Sequence, residues 1–516
     1  MTATAAPTVA ETPRDALVMA WTFDDIISLD PAEIFEFSAA EYAGNTYDRI
    51  IAYDPEDVAN IYGEAVESWT ISDDGKTFTF KMRPGITFAS GNPMTAEDAV
   101  FSLQRAVILD KSPAFILTQF GFSADNVNEK IRATDDMTFV LETDKAYAPT
   151  LVLYCLTSTI ASVVDKKLVM EHEKDGDLGY EWLKTNYAGS GAFKLRQWKA
   201  NEVLALDANE NYWGGAPAMK RVIIRHIAET ATQQLLLEKG DIDIARNLGP
   251  DQLETLRKNP DVYIQSGRKG GIYYLGLNQK HEALSKPQVR QALKYLIDYQ
   301  GMEETVVKDL MSVHQAFLPI GLLGALEAKP FHLDVGKAKQ LLAEAGYPNG
   351  FKVTMDTRSI SPIMEMAQSI QATFAQAGVE LEIIPGDGSQ TLTKYRARNH
   401  DIYIGRWGPD YQDPHTNADT FARNPDNADD AQSKPLAWRN AWDIPEMTKE
   451  ADAAVLENDP AKRAAMYQAI QKVHQATSPF VIMYQQTDVA AIRKDTKGLI
   501  MGPAFDDNLY HEVTKD

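Results

Sequence analysis

Apolar positions follow two different periods along the chain, and the alternation between them predicts its elements. Ala16–Trp21 is a short, almost wholly apolar run that reads as a buried strand, followed by the acidic pair Asp24-Asp25. Across Ser68–Phe80, Trp69 and Ile71 precede Asp73-Asp74-Gly75, then Phe78 and Phe80 follow; this is a hairpin with a glycine turn. Met94–Leu103 opens a helix with Thr95 as N-cap and Glu97 and Asp98 in its first turn. Ala192–Leu206 reads as two pairing strands around Lys199-Ala200-Asn201-Glu202. From there strand and helix alternate. Val222–His226, Ile242–Ala245, Phe351–Met355, Val379–Ile384 and Asp401–Gly405 are predicted strands. Thr230–Lys239, Pro287–Asp298 and Ile363–Ala377 are predicted helices, the first and last stopped by Gly240 and Gly378. Strand–helix–strand order at this spacing implies right-handed parallel units, so the C-terminal third is α/β, with a mixed insertion near residues 60–150.

Length and charge narrow the picture. A chain of 516 residues exceeds one core, which stops growing at roughly 250–300 residues. The formal charge of −22 repels phosphate backbones and anionic lipid, which argues against a nucleic-acid or membrane-surface binder. The single cysteine, Cys155, permits no internal disulfide and reads as a buried small hydrophobe. Its surroundings, Leu151–Val164, are too short and too often interrupted by serine and threonine for a membrane span. The leading Met1-Thr2-Ala3-Thr4-Ala5-Ala6-Pro7 lacks the basic and apolar parts of a signal peptide, and resembles the small-residue tail left after one is removed.

Catalytic signatures are sparse. Gly121-Phe122-Ser123-Ala124-Asp125 lacks the final glycine of a nucleophile elbow, and Gly189-Ser190-Gly191-Ala192-Phe193 precedes a strand rather than a helix. The histidines never fall at helical zinc spacing, and Asp426, Asp429 and Asp430 miss the calcium-loop pattern, so that stretch reads as a solvated loop. No metal or cofactor is expected. Carboxylates are plentiful, so an exported acid/base hydrolase stays open as an alternative.

In an open parallel sheet, ligands bind beyond the carboxyl ends of the strands. That rule selects two loops. Phe351–Met355 delivers Asp356-Thr357-Arg358-Ser359 to this edge, and Asp401–Gly405 delivers Arg406-Trp407-Gly408-Pro409-Asp410-Tyr411. A guanidinium fork suits a carboxylate and Asp410 suits an ammonium group, so Arg358 and Asp410 could grip a zwitterion, with Trp407 and Tyr411 covering it. The competing reading is that Arg358 and Asp410 pair with each other or with neighbours as an ordinary salt bridge. Arg406 is either a rim charge or a ligand contact.

The run Ala65-Val66-Glu67-Ser68-Trp69-Thr70-Ile71-Ser72-Asp73-Asp74-Gly75-Lys76-Thr77-Phe78-Thr79-Phe80-Lys81-Met82-Arg83-Pro84-Gly85, continued by Met94-Thr95-Ala96-Glu97-Asp98-Ala99-Val100, closely resembles a known signature. Further matches follow in order: Gly189-Ser190-Gly191-Ala192-Phe193, Asn211-Tyr212-Trp213-Gly214-Gly215, Gly240-Asp241-Ile242-Asp243, Val289-Arg290-Gln291-Ala292-Leu293 and Ala343-Glu344-Ala345-Gly346-Tyr347-Pro348. The chain therefore resembles the dipeptide/oligopeptide/nickel family of ABC-transporter extracytoplasmic solute-binding proteins.

The resemblance implies an α/β, two-lobed periplasmic binding protein fold (type II-like) with an additional inserted α+β domain. Domain I would comprise residues 1–46, 188–266 and 482–516, domain II residues 47–187, and domain III residues 267–481. It implies a monomer without a catalytic step that captures a peptide-like solute between its lobes in the periplasm and hands it to ABC permease subunits. Carried over residue by residue, Asp410 would hold a ligand α-amino group and Arg358 a carboxylate. Trp21, Phe23 and Tyr274 would line the cleft. Relatives also take opines, oligosaccharide conjugates and metal chelates. Arg406 replaces the usual small residue beside Trp407, and His415 is unexpected nearby; an extra guanidinium favours a more anionic ligand.

Overall fold

The computed structural model describes residues 12–516, so the reading of the Met1 tail lies outside the described residues. The chain forms two units: residues up to Arg268 together with Asp488–Asp516, and Lys269–Thr487. The backbone passes from one to the other inside two long strands, Val262–Leu277 and Phe480–Arg493.

In the first unit the apolar run Ala16–Trp21 is a strand with every residue buried. It pairs in parallel with Arg221–His226 on one side and Ile244–Ala245 on the other. Burial on both faces explains why its sequence does not alternate. Val203–Ala208 and Phe193–Lys199 extend the sheet as antiparallel strands. Residues 66–142 fold separately as a four-stranded antiparallel sheet in which Thr77–Met82 lies between Val66–Ile71 and Thr138–Glu142, with Ile131–Asp135 at the edge. Phe78, Phe80 and Phe139 stack on its inner face. The turn between its first two strands puts Gly75 at φ +70°, where a side chain would be strained. Helix Ala96–Leu109 packs on this sheet. It starts with a capping box in which the Asp98 carboxylate accepts from the Thr95 backbone N–H at 2.9 Å.

The second unit is a doubly wound sheet. Glu380–Gly386, Lys352–Arg358 and Ile402–Trp407 run parallel, and Val262–Leu277 joins antiparallel to the last of them. Alternation along the strands divides two cores. Leu275, Val353, Met355, Ile402 and Ile404 face Met366, Ile370 and Phe374 of helix Ile363–Ala375. Ile272, Tyr274 and Tyr403 face Phe421, Trp442 and Phe480. The strand predicted to end at Met355 runs on to Arg358, because parallel pairing continues as far as Gly386. Cys155 is buried, as its apolar setting predicts. Asp426, Asp429 and Asp430 are exposed, as a solvated loop would have them, and Asp429 also receives Arg398 at 2.9 Å and Lys280 at 2.8 Å. Among the described residues, no helix is long and apolar enough to cross a membrane.

A buried ion pair in the first unit joins the loop after Ala16–Trp21 to helix Ala96–Leu109. Arg105 donates to both Asp30 oxygens at 2.7 and 2.6 Å, and the two side chains are almost wholly shielded from solvent. Removing one partner leaves a buried charge unmatched. Asp30→Ala is therefore expected to destabilise the first unit by about 3–5 kcal/mol, read as a lower denaturant midpoint. A change below about 1 kcal/mol would show that water reaches the orphaned guanidinium.

Candidate functional site

Three parallel strands ending together define one edge of the second unit. Their last residues are Gly386, Arg358 and Trp407. Asp356 pairs with Tyr403 across the sheet, so Arg358, two residues further on, lies level with Gly405 and on the face shared by Tyr403 and Trp407. Arg406 points to the opposite face. The structure thus brings Arg358 and Trp407 to one side of the sheet and sends Arg406 to the other, where it donates to Gln486 Oε1 at 3.4 Å. Glycines let these chains approach: a Cβ on Gly405 would stand 2.8 Å from the Tyr274 hydroxyl, and one on Gly270 would stand 2.7 Å from Pro409.

Arg358 is exposed and has no ion-pair partner among the described residues. Its neighbour on the same face, Asp356, is buried and held by Lys394 at 2.7 Å from helix Gly388–Arg396. Asp356 is therefore already occupied. Gly388, at the start of that helix, abuts the Arg358 guanidinium, and a Cβ there would lie 3.0 Å from its Nε.

The loop after Trp407 holds two carboxylates with opposite fates. Asp413 is wholly buried and accepts from both terminal nitrogens of Arg463, at 2.5 and 2.8 Å. It also accepts from the His415 N–H at 2.8 Å, which starts helix His415–Phe421. Asp410 is half-buried and meets no cation among the described residues. Among the described residues its hydrogen-bond partner is Thr416: the Asp410 N–H donates to the Thr416 hydroxyl at 3.0 Å, which lies 3.3 Å from Asp410 Oδ2. Burial pushes the Asp410 carboxyl up to about 7, partly offset by Thr416, and the charge on Asp419 adds to the rise. Among the described residues Arg358 and Asp410 form no ion pair with each other or with a neighbour.

The remaining candidates are packed rather than open. Phe23 is buried in the first unit's core, edge-on to His226 at 5.3 Å, and its N–H donates to His226 Nδ1 at 3.1 Å. Tyr274 is buried with its ring edge-on to Phe421 and Phe480. Each ring packs in the core of its own unit. Tyr411 is buried as well. Trp21 is buried with its indole N–H unpartnered, and the Arg246 guanidinium lies 5.1 Å from its ring. Arg246 is itself fixed by Glu41 and Asp488. Trp407 is half-buried and its indole N–H also lacks a partner. His415 is buried, and burial lowers its basicity. Sequence reasoning missed Thr416 and Gln486; a lone hydroxyl six positions along a loop and a glutamine on a distant strand leave no pattern. No group of three or more His, Cys, Asp or Glu side chains among the described residues is arranged to hold a metal ion.

This sheet edge gathers a guanidinium and a carboxylate beside aromatic rings. The chain belongs to the family described as bacterial extracellular solute-binding proteins, family 5, whose middle region matches residues 60–429. It is 28% identical over 509 residues to the probable D,D-dipeptide-binding periplasmic protein DdpA of Escherichia coli (strain K12), covering 96% of this chain and 93% of that one. The periplasmic binding protein DppA from Helicobacter pylori, solved in complex with the peptide STSA, superposes with a TM-score of 0.80 at 25% identity, covering 97% of this chain and 98% of that one. MoaA from A. tumefacien R10, solved with mannopinic acid, shares the fold with a TM-score of 0.80 at 22% identity over 98% of this chain and all of that one.

The isolated Asp410 has a consequence for stability. Its folded carboxyl titrates above its unfolded one, so both are protonated at low pH. As pH rises from about 4 to about 7 the unfolded state ionises more readily, and stability is lost across that window. Asp410→Asn is expected to match wild type at pH 4 and to melt higher at pH 8, by at least about 2–4 °C, the shift expected of about 1 kcal/mol in a unit this size. Equal melting temperatures at pH 8 would show that Asp410 is fully solvated.

Proposed function

We propose that this protein captures a small peptide-like solute, zwitterionic or anionic, in the periplasm and delivers it unchanged to the permease subunits of an ABC importer. The observation that carries this reading is the pair of opposite charges left unneutralised at one sheet edge. Asp413 is taken by Arg463 and Asp356 by Lys394, while Asp410 and Arg358 are not taken. A free α-amino group would satisfy Asp410 and a carboxylate would satisfy Arg358, with Trp407 against the body of the solute. The D,D-dipeptide and STSA peptide partners of the relatives support a peptide. The layout of domains I, II and III, with residues 47–187 as an insertion, and a monomeric state belong to the same reading.

An opine is the second reading, favoured by the mannopinic acid bound to MoaA. An exported hydrolase would release cleaved product, whereas this protein returns its ligand intact.

Mass spectrometry of the denatured protein is expected to release a small zwitterion or anion. Calorimetry with that compound should then show Arg358→Ala weakening it by roughly ten- to a hundredfold, since charge-assisted hydrogen bonds contribute about 1.5–3 kcal/mol each. Unchanged affinity removes Arg358 from the site.

A further inference from the structure

The loop that carries Asp410 is pinned just downstream of it, at the start of helix His415–Phe421. Arg463 holds the Asp413 carboxylate. That carboxylate accepts the His415 N–H at 2.8 Å, and the Asp413 carbonyl accepts the Thr416 N–H at 3.2 Å. Asn417 Nδ2 donates to the Phe317 carbonyl at 2.6 Å, so the residue after Thr416 is fixed as well. Thr416 is thus held on both sides, is 3% exposed, and as a β-branched residue in a helical turn is stiff about χ1.

A buried hydroxyl needs partners, and Thr416 finds both of them on one residue. Its oxygen accepts from the Asp410 N–H at 3.0 Å and donates to Asp410 Oδ2 at 3.3 Å. Among the described residues this hydroxyl bonds to nothing else, and Asp410 Oδ1 has no hydrogen bond. One side chain therefore ties the backbone and one carboxylate oxygen of Asp410 together and leaves the other oxygen free. The neighbouring charges are already matched or suppressed. Asp413 has Arg463, Asp419 has Arg423 at 3.1 Å, and burial makes His415 less basic. Of these, Asp419 acts on Asp410 and adds to the rise that burial causes, while the Thr416 hydroxyl opposes it.

We propose that Thr416 is the positioning residue of the solute site: its hydroxyl holds Asp410 by one carboxylate oxygen and presents the other to the α-amino group of the solute. The inference deepens the solute reading and rests on it through Asp410; the hold of Thr416 on Asp410 is its own. It also makes capture depend on pH. Only the ionised carboxylate grips an ammonium group, and with the Asp410 carboxyl pushed up to about 7, affinity falls as the medium turns acidic. The donor on Oδ2 favours the ionised form, so Thr416 sets how much acid the grip withstands.

Thermal melts of the full chain at pH 4 and pH 8 test the hold without any solute. Thr416→Val keeps the shape and removes the hydroxyl. It should lower the melting temperature at both pH values, because the Asp410 N–H loses its acceptor, and by about 2–4 °C more at pH 8, where the ionised oxygen also loses its donor. That extra loss should vanish in the Asp410→Asn background, and Thr416→Ser should restore wild-type behaviour. An equal loss at both pH values, or an extra loss that persists with Asp410→Asn, overturns the proposal. Calorimetry with L-Ala-L-Ala and D-Ala-D-Ala then tests the link to the solute. Wild-type affinity is expected to rise about tenfold from pH 5.5 to pH 7.5, and Thr416→Val should rise by less, with Thr416→Ser following wild type. A rise of the same size in Thr416→Val overturns the positioning role and leaves the solute reading standing. Neither dipeptide binding, with the melts as expected, supports the hold of Thr416 on Asp410 and overturns its link to a dipeptide amino group.

Discussion

The buried pair between Asp413 and Arg463 is the constraint on which the candidate site depends. Arg463 lies in helix Pro460–Thr477 and also donates its Nε to the Ala454 carbonyl at 2.9 Å, so its position is fixed from outside the loop. By taking both oxygens of Asp413 it anchors the turn into helix His415–Phe421. That anchor holds Asp410 three residues upstream, with only a threonine hydroxyl to answer it. Two aspartates in one loop thus have different roles because one guanidinium reaches only one of them. A buried pair of this kind contributes geometry more dependably than net stability.

Parallel register provides the second half of the arrangement. Because Lys352–Arg358 pairs with strands on both sides, the carboxyl ends of all three are brought to one edge, and alternation then decides which side chains share a face. Arg358 joins Tyr403 and Trp407, and Arg406 is excluded from that group by a single residue of offset. Lys394 completes the separation by holding Asp356, the acid nearest to Arg358 along the strand, so that Arg358 keeps its full charge.

Much of this was legible in the sequence. The strands at Ala16–Trp21 and Ile402–Trp407 and the helix at Ile363–Ala375 are written in apolar period, and the glycine turns mark their ends. The sheet-edge rule led to Arg358 and Asp410 because loop position follows from strand order. Facing direction did not follow: the strand beginning near Phe351 was expected to stop before Arg358, and its continuation is what sets that side chain's face. Aromatic roles were least legible. Phe23 and Tyr274 have the composition of ligand-lining residues, yet burial against His226 and against Phe421 and Phe480 is a tertiary fact with no local signature.

Unanswered charges are a form of selectivity. In the proposed function, the half-buried Asp410 without a cation raises the free energy of the empty protein, and an ammonium group on the solute relieves it. In that reading a solute lacking the amino group leaves Asp410 desolvated and unpaired, and one lacking the acid leaves Arg358 to water. Sites built to pair with a polar group reject analogues without it far more strongly than apolar pockets reject a missing methylene. Asp356 and Asp413 are occupied by Lys394 and Arg463, so in the proposed reading Asp410 is the acid of these two segments that a solute rather than a side chain completes.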